Sequence, residues 1–223
     1  MPDTHLTPTG SGIWSRMFAA IYEPSLLVGE LAGMRRRRRA LLSAATGRTL
    51  EIGGGTGLNL GHYGEAVSEL IVAEPSPPMR RRLERRAELA TEAAEQTAGK
   101  VRVIDAPAER LPFDDASLDT VVSTLVLCTV DDPAAALSEI VRVLRPDGRL
   151  LFIEHVRAES RALAWWQDRL AGPWRRFAEG CRCNRPTASL MAASGLAVDA
   201  SAAKWRTMPH IVRPLITGYA TKA

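Results

Sequence analysis

The sequence predicts an α/β fold: a three-layer sandwich around a mostly parallel seven-stranded sheet with an antiparallel C-terminal strand. Three observations predict it. Apolar strand-like runs alternate with helical patterns at a period of roughly 25 to 30 residues. The first of these strands ends in a glycine loop, EIGGGTG, Glu51 to Gly57. The last two runs, Leu196 to Trp205 and Ile211 to Tyr219, leave no room for a crossover helix and must pair antiparallel.

Taken in order, residues 1 to 12 are polar with Pro and Gly, and are expected to fray. Ile13 to about Ala45 is helical in pattern, with Pro24 expected to separate two short helices. Arg48 to Ile52 reads as a buried strand, and Leu58 to Tyr63 as the opening of a helix. Ser68 to Glu74 is a second strand, Pro77 to Gln96 a long charged helix, and Val101 to Asp105 a third strand. Leu118 to Cys128 is apolar enough to be central. Asp132 to Leu144 is a helix closed by Arg145-Pro146-Asp147-Gly148, and Arg149 to His155 is a fifth strand. Val156 to Ser194 breaks the rhythm and looks largely helical. The expected organisation is an N-terminal helical cap over 1–45 and a main domain over 46–223, with 156–194 inserted as a helical segment.

Composition excludes several classes. The 223 residues suit one domain with a sizeable core. The net charge is only +4, but arginines cluster at Arg35–Arg39 and again at Arg80, Arg81, Arg82, Arg85 and Arg86. Neither cluster interleaves with aromatics, and no nucleic-acid module is recognised, so no nucleic-acid partner is expected. Three cysteines without a CxxC pair argue against a disulfide framework or a Cys-based zinc site, and suit a reducing cytoplasm. The four histidines show no metal spacing, so no metal is expected. The N-terminus lacks a leader pattern, and no apolar run reaches 18 residues. Arg35–Arg39 could rest on anionic lipid, giving a peripheral membrane contact, or be a solvated helix end.

The glycine loop carries the chemistry. Gly53, Gly54, Gly55 and Gly57 let the backbone approach a ligand at the carboxyl end of a parallel strand. Glu74 ends the second strand, where an acid can accept hydrogen bonds from the ribose hydroxyls of an adenosine ligand. These features fit either a nicotinamide dinucleotide or S-adenosylmethionine. Three details favour the second. The loop is GxGxG, not GxGxxG. Glu51 ends the first strand, where it would repel a pyrophosphate but attract an ammonium and a sulfonium. At about 4 Å and an effective dielectric of about 20, such a pair is worth roughly 4 kcal/mol before desolvation. Lastly, an antiparallel tail does not match a second mononucleotide-binding half.

At this point the chain resembles the class I S-adenosylmethionine-dependent methyltransferases, from about Thr49 to Val156 and more weakly beyond. EIGGGTG resembles that family's first motif and VAEPSPPM, Val72 to Met79, its second. Ala106 to Leu127 is similar to the adenine-side loop and fourth strand, and Asp131 to His155 to the last helix and fifth strand. The resemblance implies a Rossmann-like sheet and specific roles. Glu51, Gly53, Gly54 and Gly55 would surround the methionine moiety, supported by Gly57. Glu74 would hold the ribose. Pro75, Met79, Ala108 and Glu109 would lie at the adenine, and Ser123 at the methionine end. Pro107 departs from the family's polar residue, so adenine recognition would fall to Glu109 or to backbone. Within that family the chain is similar to the quinone-biosynthesis methyltransferases, the bacterial phosphatidylethanolamine N-methyltransferases and the methyltransferase-like thiol methyltransferases; Thr124 to Pro133, Phe177 to Thr187 and Arg213 to Lys222 resemble the last two most.

The implied reaction is an in-line methyl transfer to a small, apolar or lipid-like acceptor: an amine, a thiol or a quinone-type group. Such an acceptor suits Trp165, Trp166, Trp174 and Phe177 in the helical segment after strand five. His155 and Tyr63 are the candidate catalytic residues, as a base and an acceptor-site group. The competing readings are an NAD-dependent oxidoreductase and a non-catalytic S-adenosylmethionine-binding, membrane-peripheral protein. The sequence leaves the oligomeric state open.

Overall fold

The computed structural model describes residues 12–93 and 101–223. Expectations for residues 1–11 and for the end of the long helix at Gln96 lie outside them.

Among the described residues seven strands form one sheet: β1 (Gly47–Ile52), β2 (Val67–Ala73), β3 (Arg102–Ile104), β4 (Leu118–Thr124), β5 (Leu144–His155), β6 (Leu196–Lys204) and β7 (Pro214–Lys222). Their order is β3-β2-β1-β4-β5-β7-β6. The first five pair in parallel, and β7 runs antiparallel to both β5 and β6. The chain therefore winds outward in two directions from β1 and β4. That switch point opens a crevice at their carboxyl ends.

Period-two alternation divides the strands between two faces. Leu50, Ile52, Val121, Leu150 and Phe152 join the larger core, under α4 (Pro133–Val143) and α6 (Thr187–Ala193). Helix α4 starts cleanly because Asp132 accepts from the N–H groups of Ala134 and Ala135, both at 3.0 Å, with Pro133 in its first turn. Its Leu137 and Ile140 are fully buried, each burial contributing about 1.5–3 kcal/mol. On the opposite face Val122 and Leu151 pack under Leu42 of α2 (Arg35–Leu42), and Val72 under Leu83 of α3 (Pro77–Ala93). Helices α1 (Ile13–Gly29) and α2 lie over the crevice on this second face.

Several expected boundaries move. Pro24 lies inside α1; the N–H it lacks would have reached the exposed Ala20 turn. The break falls instead at Gly33, whose φ of 131° favours glycine. The helix expected from Leu58 is only a 3-10 turn, Leu60–His62, with Gly61 at its centre and Gly64 shortly after it. Strand β4 stops at Thr124 because Leu125 turns left-handed, with φ 62°. Extended pairing of β5 begins at once after α4, so Arg145 to Gly148 belongs to that strand. The last strand starts later than expected, after a 3-10 turn at His210–Val212. The segment after β5 forms α5 (Arg161–Phe177), anchored by the buried Gln167. Its amide donates to the carbonyls of Val156, Cys183 and Ile211.

Candidate active site

The glycine loop leaves β1 with Gly53, Gly55 and Gly57 all at positive φ. A side chain at Gly53 would collide with Val126 at 2.6 Å, and one at Gly54 with Val72. Gly57 packs on Leu60 and Leu83. Above Gly55, by contrast, the space is open, with nothing within 4 Å. A small cleft lies there, lined by Glu51, the loop, Thr56, Asn59 and Thr124, and roofed by Tyr22 of α1 and Arg38 of α2.

Glu51 is buried on the α2 face of the sheet. Its Oε1 accepts from Asn59 at 2.9 Å and its Oε2 from the Tyr63 hydroxyl at 2.6 Å. Burial pushes its carboxyl up to about 7, against the lowering pull of these two donors and of Arg38. Asn59 is held in turn by Arg38, whose guanidinium donates to Asn59 Oδ1 at 3.0 Å and pairs with Glu30 at 3.0 Å. A chain Glu30–Arg38–Asn59–Glu51 thus ties the helical cap to the end of β1. Glu74 accepts from the Gly55 N–H and the Ser76 N–H, each at 2.7 Å, and burial raises it to about 7 as well. Thr56 Oγ1 is buried in the loop without a hydrogen-bond partner among the described residues.

The structure gathers Glu51, Gly53, Gly54 and Gly55 around the cleft and connects Tyr63 to it through Glu51 and Glu74 through Gly55. Met79 is buried in the first turn of α3, and Pro75 is exposed beside it. Ala108 is buried in the larger core, while Glu109 accepts from the Asp131 N–H at 3.1 Å. Ser123 is not at the cleft: its hydroxyl donates at 2.7 Å to Glu154, which is fully buried on the α4 face. One residue on, Thr124 points the other way and lines the cleft. His155 is buried behind Trp205, their rings 6.2 Å apart and nearly parallel, and burial lowers it to about 4. Trp165 and Trp166 face solvent, whereas Trp174 borders the cluster of Cys128, Cys181 and Cys183.

Tyr22, Arg38, Thr56, Asn59 and Thr124 were not marked by the sequence reasoning. Thr56 and Asn59 sit in or just after the glycine loop and could have been found there. Arg38 is hidden among five identical residues, and Tyr22 in an unremarkable helix.

Comparison with known proteins adds the lineage. The model of a methyltransferase domain matches residues 50–152. Thiol S-methyltransferase TMT1A of Homo sapiens is 33% identical over 176 residues, covering 78% of this chain and 70% of that protein. A phosphatidylethanolamine N-methyltransferase of Cereibacter sphaeroides is 32% identical over 137 residues, covering 61% of this chain and 64% of that protein. The chain thus spans about two thirds of the length of these curated relatives. A crystal structure from Thermotoga maritima, described as a SAM-dependent methyltransferase, superposes with a TM-score of 0.66 at 24% identity, covering 94% of this chain and 99% of that one. It shares the fold.

Proposed function

The chain belongs to the class I S-adenosylmethionine-dependent methyltransferases, and from that premise we propose that it methylates a small, apolar or lipid-like acceptor, with a thiol as the best fit. The observation carrying this reading is the carboxylate-flanked glycine cradle, open above Gly55, with an unpartnered buried hydroxyl at Thr56. When bound, the cofactor supplies a methyl carbon activated by a sulfonium. Glu51 would face the ammonium, as a buried carboxylate with acceptor capacity left. Arg38 and Thr56 would hold the methionine carboxylate, a cation and a hydroxyl on the same cleft. Glu74 would take the ribose hydroxyls, and Met79 with Pro75 would flank the adenine.

The choice of acceptor follows from the candidate bases: Glu51 is committed to the ammonium, and Tyr63, Tyr22 and His155 are poor bases at neutral pH. Tyr63 is raised well above its ordinary range by burial and by Glu51, so it stays protonated and positions that carboxylate. Tyr22 is likewise pushed up to about 12 by burial. His155, held near 4, is too weak a base to accept a proton efficiently at neutral pH. An acceptor that ionises without help suits this site, and a thiol with a pKa near roughly 8.5 does so. Of the two relatives above, one is named for thiols and the other for a phospholipid amine.

Titration calorimetry with S-adenosylmethionine, S-adenosylhomocysteine and NAD tests the cofactor site. Binding of NAD alone would refute it and restore the oxidoreductase reading. Turnover of methyl-labelled cofactor over thiols, amines, quinols and phospholipids then tests the acceptor. Product on quinols alone would overturn the thiol assignment, and no product on any acceptor would favour the non-catalytic reading. The membrane contact expected at Arg35–Arg39 keeps Arg35, Arg36 and Arg39 as exposed cations but loses Arg38 to the cleft. No described helix is long and apolar enough to cross a membrane.

A further inference from the structure

The outer surface of α1 is apolar. Ile13, Met17, Ile21, Val28 and Leu31, the last just past the helix, are between 44% and 78% exposed. At about 100° per residue they fall on one outward line roughly 27 Å long. The two flanks of this line differ. On one side Arg16 and Glu23 face Arg81, Arg82, Arg85 and Arg86 of α3 across an open groove of about 500 Å³. Glu23 is taken by Arg86 at 2.6 Å, so the other four arginines have no ion-pair partner among the described residues. On the other side Trp14 meets Phe177 of α5, ring centroids 6.0 Å apart. Helix α5 then exposes Trp165, Trp166 and Leu170, with Arg169 and Arg176 between and beyond them.

We propose that the face formed by α1, α3 and α5 docks on an anionic phospholipid bilayer, the α1 line entering the acyl boundary and the α1–α3 groove receiving headgroup phosphates. The order of chemistries across the face carries this assignment. An apolar keel between arginines and amphipathic indole rings matches the layering of a bilayer interface, where tryptophan sits at headgroup depth. Planar guanidiniums bind phosphate oxygens in pairs. A second copy of the chain seated on this face by a two-fold contact whose axis crosses the α1 line would bring arginines against arginines, a like-charge cost a bilayer does not impose. The surface goes beyond the Arg35–Arg39 contact, since it lies on other helices. It bears on the lipid-like acceptor reading by bringing the cleft roofed by α1 to the source of such acceptors, yet it does not depend on the cofactor.

The test is flotation of the full chain with phosphatidylcholine vesicles, with and without phosphatidylglycerol. Binding should favour the anionic vesicles, weaken with salt, and blue-shift tryptophan fluorescence. The double variant Met17→Glu/Ile21→Glu should lose binding to both vesicle types. The triple variant Arg81→Gln/Arg82→Gln/Arg85→Gln should lose the anionic preference, on the order of 100-fold at about fivefold per charge. All of these side chains except Ile21 are at least half-exposed or lie in the open groove; should the first variant misfold, Leu31→Gln replaces it. The proposal is overturned by no flotation of the wild type, by variants that float like the wild type, or by a dimer in sedimentation that Met17→Glu dissociates. Calorimetric uptake of inorganic phosphate without vesicle binding would also overturn it, by making the groove a site for free anions. Cofactor calorimetry on the same variants should be unchanged, so failure of docking and failure of methyl transfer are read separately.

Discussion

Glu51 and Glu74, at the rim of β1 and β2, contrast with Glu154 at the rim of β5. All three are buried carboxylates, and burial raises all three above the ordinary range. Their hydrogen bonding differs. Glu154 accepts from Ser123 and from the N–H groups of Val126, Leu127 and Cys128, and so is saturated by the turn it organises. Glu51 and Glu74 each accept from two donors, one per oxygen. A carboxylate offers about four acceptor positions. A saturated one is a structural staple, while a half-satisfied one beside an open cleft has capacity left for a ligand.

The strongest way to break this comparison is Glu154→Ala. It strands three buried N–H groups at about 1–3 kcal/mol each, so at least roughly 3 kcal/mol of stability should go. Thermal melting should fall by about 10 °C for a chain of this length. A melt within two or so degrees of wild type would show that the turn needs no staple. Next is Glu74→Ala, which should weaken cofactor binding by about tenfold or more, roughly 1.5–3 kcal/mol, by removing a charged partner. Equal affinity by calorimetry would take Glu74 out of the site.

Glu51→Gln should cost a similar or smaller factor and, more tellingly, flatten the pH dependence. The cofactor ammonium favours the ionised carboxylate, so wild-type affinity should rise as pH climbs through about 7 and fall below it. The cofactor-free protein should behave oppositely. A carboxyl raised in the folded state from 4.5 to about 7 stabilises the fold below its unfolded value, and that stability is lost as pH rises through about 7. Affinity independent of pH in the wild type would contradict an ionised Glu51 as the ammonium partner. The smallest effect is expected for His155→Gln, within about threefold in kcat, where a true general base would cost about a hundredfold or more. A loss of that size would reinstate His155.

Much of this contrast could be read in the chain, and the part that could not has a common cause. Alternating strands, the glycine loop and the crossover-free tail all rest on local pattern, and they led to the observed sheet. Glu51 and Glu74 were legible because each stands at a strand end marked by glycine or proline. Ser123 and Thr124 were not distinguishable, since only the register of β4 on its neighbours decides which one faces the cleft. His155 and Glu154 differ in the same way. Arg38 became a buried cleft residue because the bend at Gly33 sets the phase of α2, turning one of five like side chains inward.

The sequence by itself determined the order of elements and the glycine turn at the end of β1, because short-range periodicity and glycine's conformational freedom are properties of neighbouring residues. Which face each rim side chain takes, whether a carboxylate is saturated or has capacity left, and where apolar helix surface stays uncovered were decided only by tertiary packing. Those outcomes depend on partners dozens of residues away, and no local pattern encodes them.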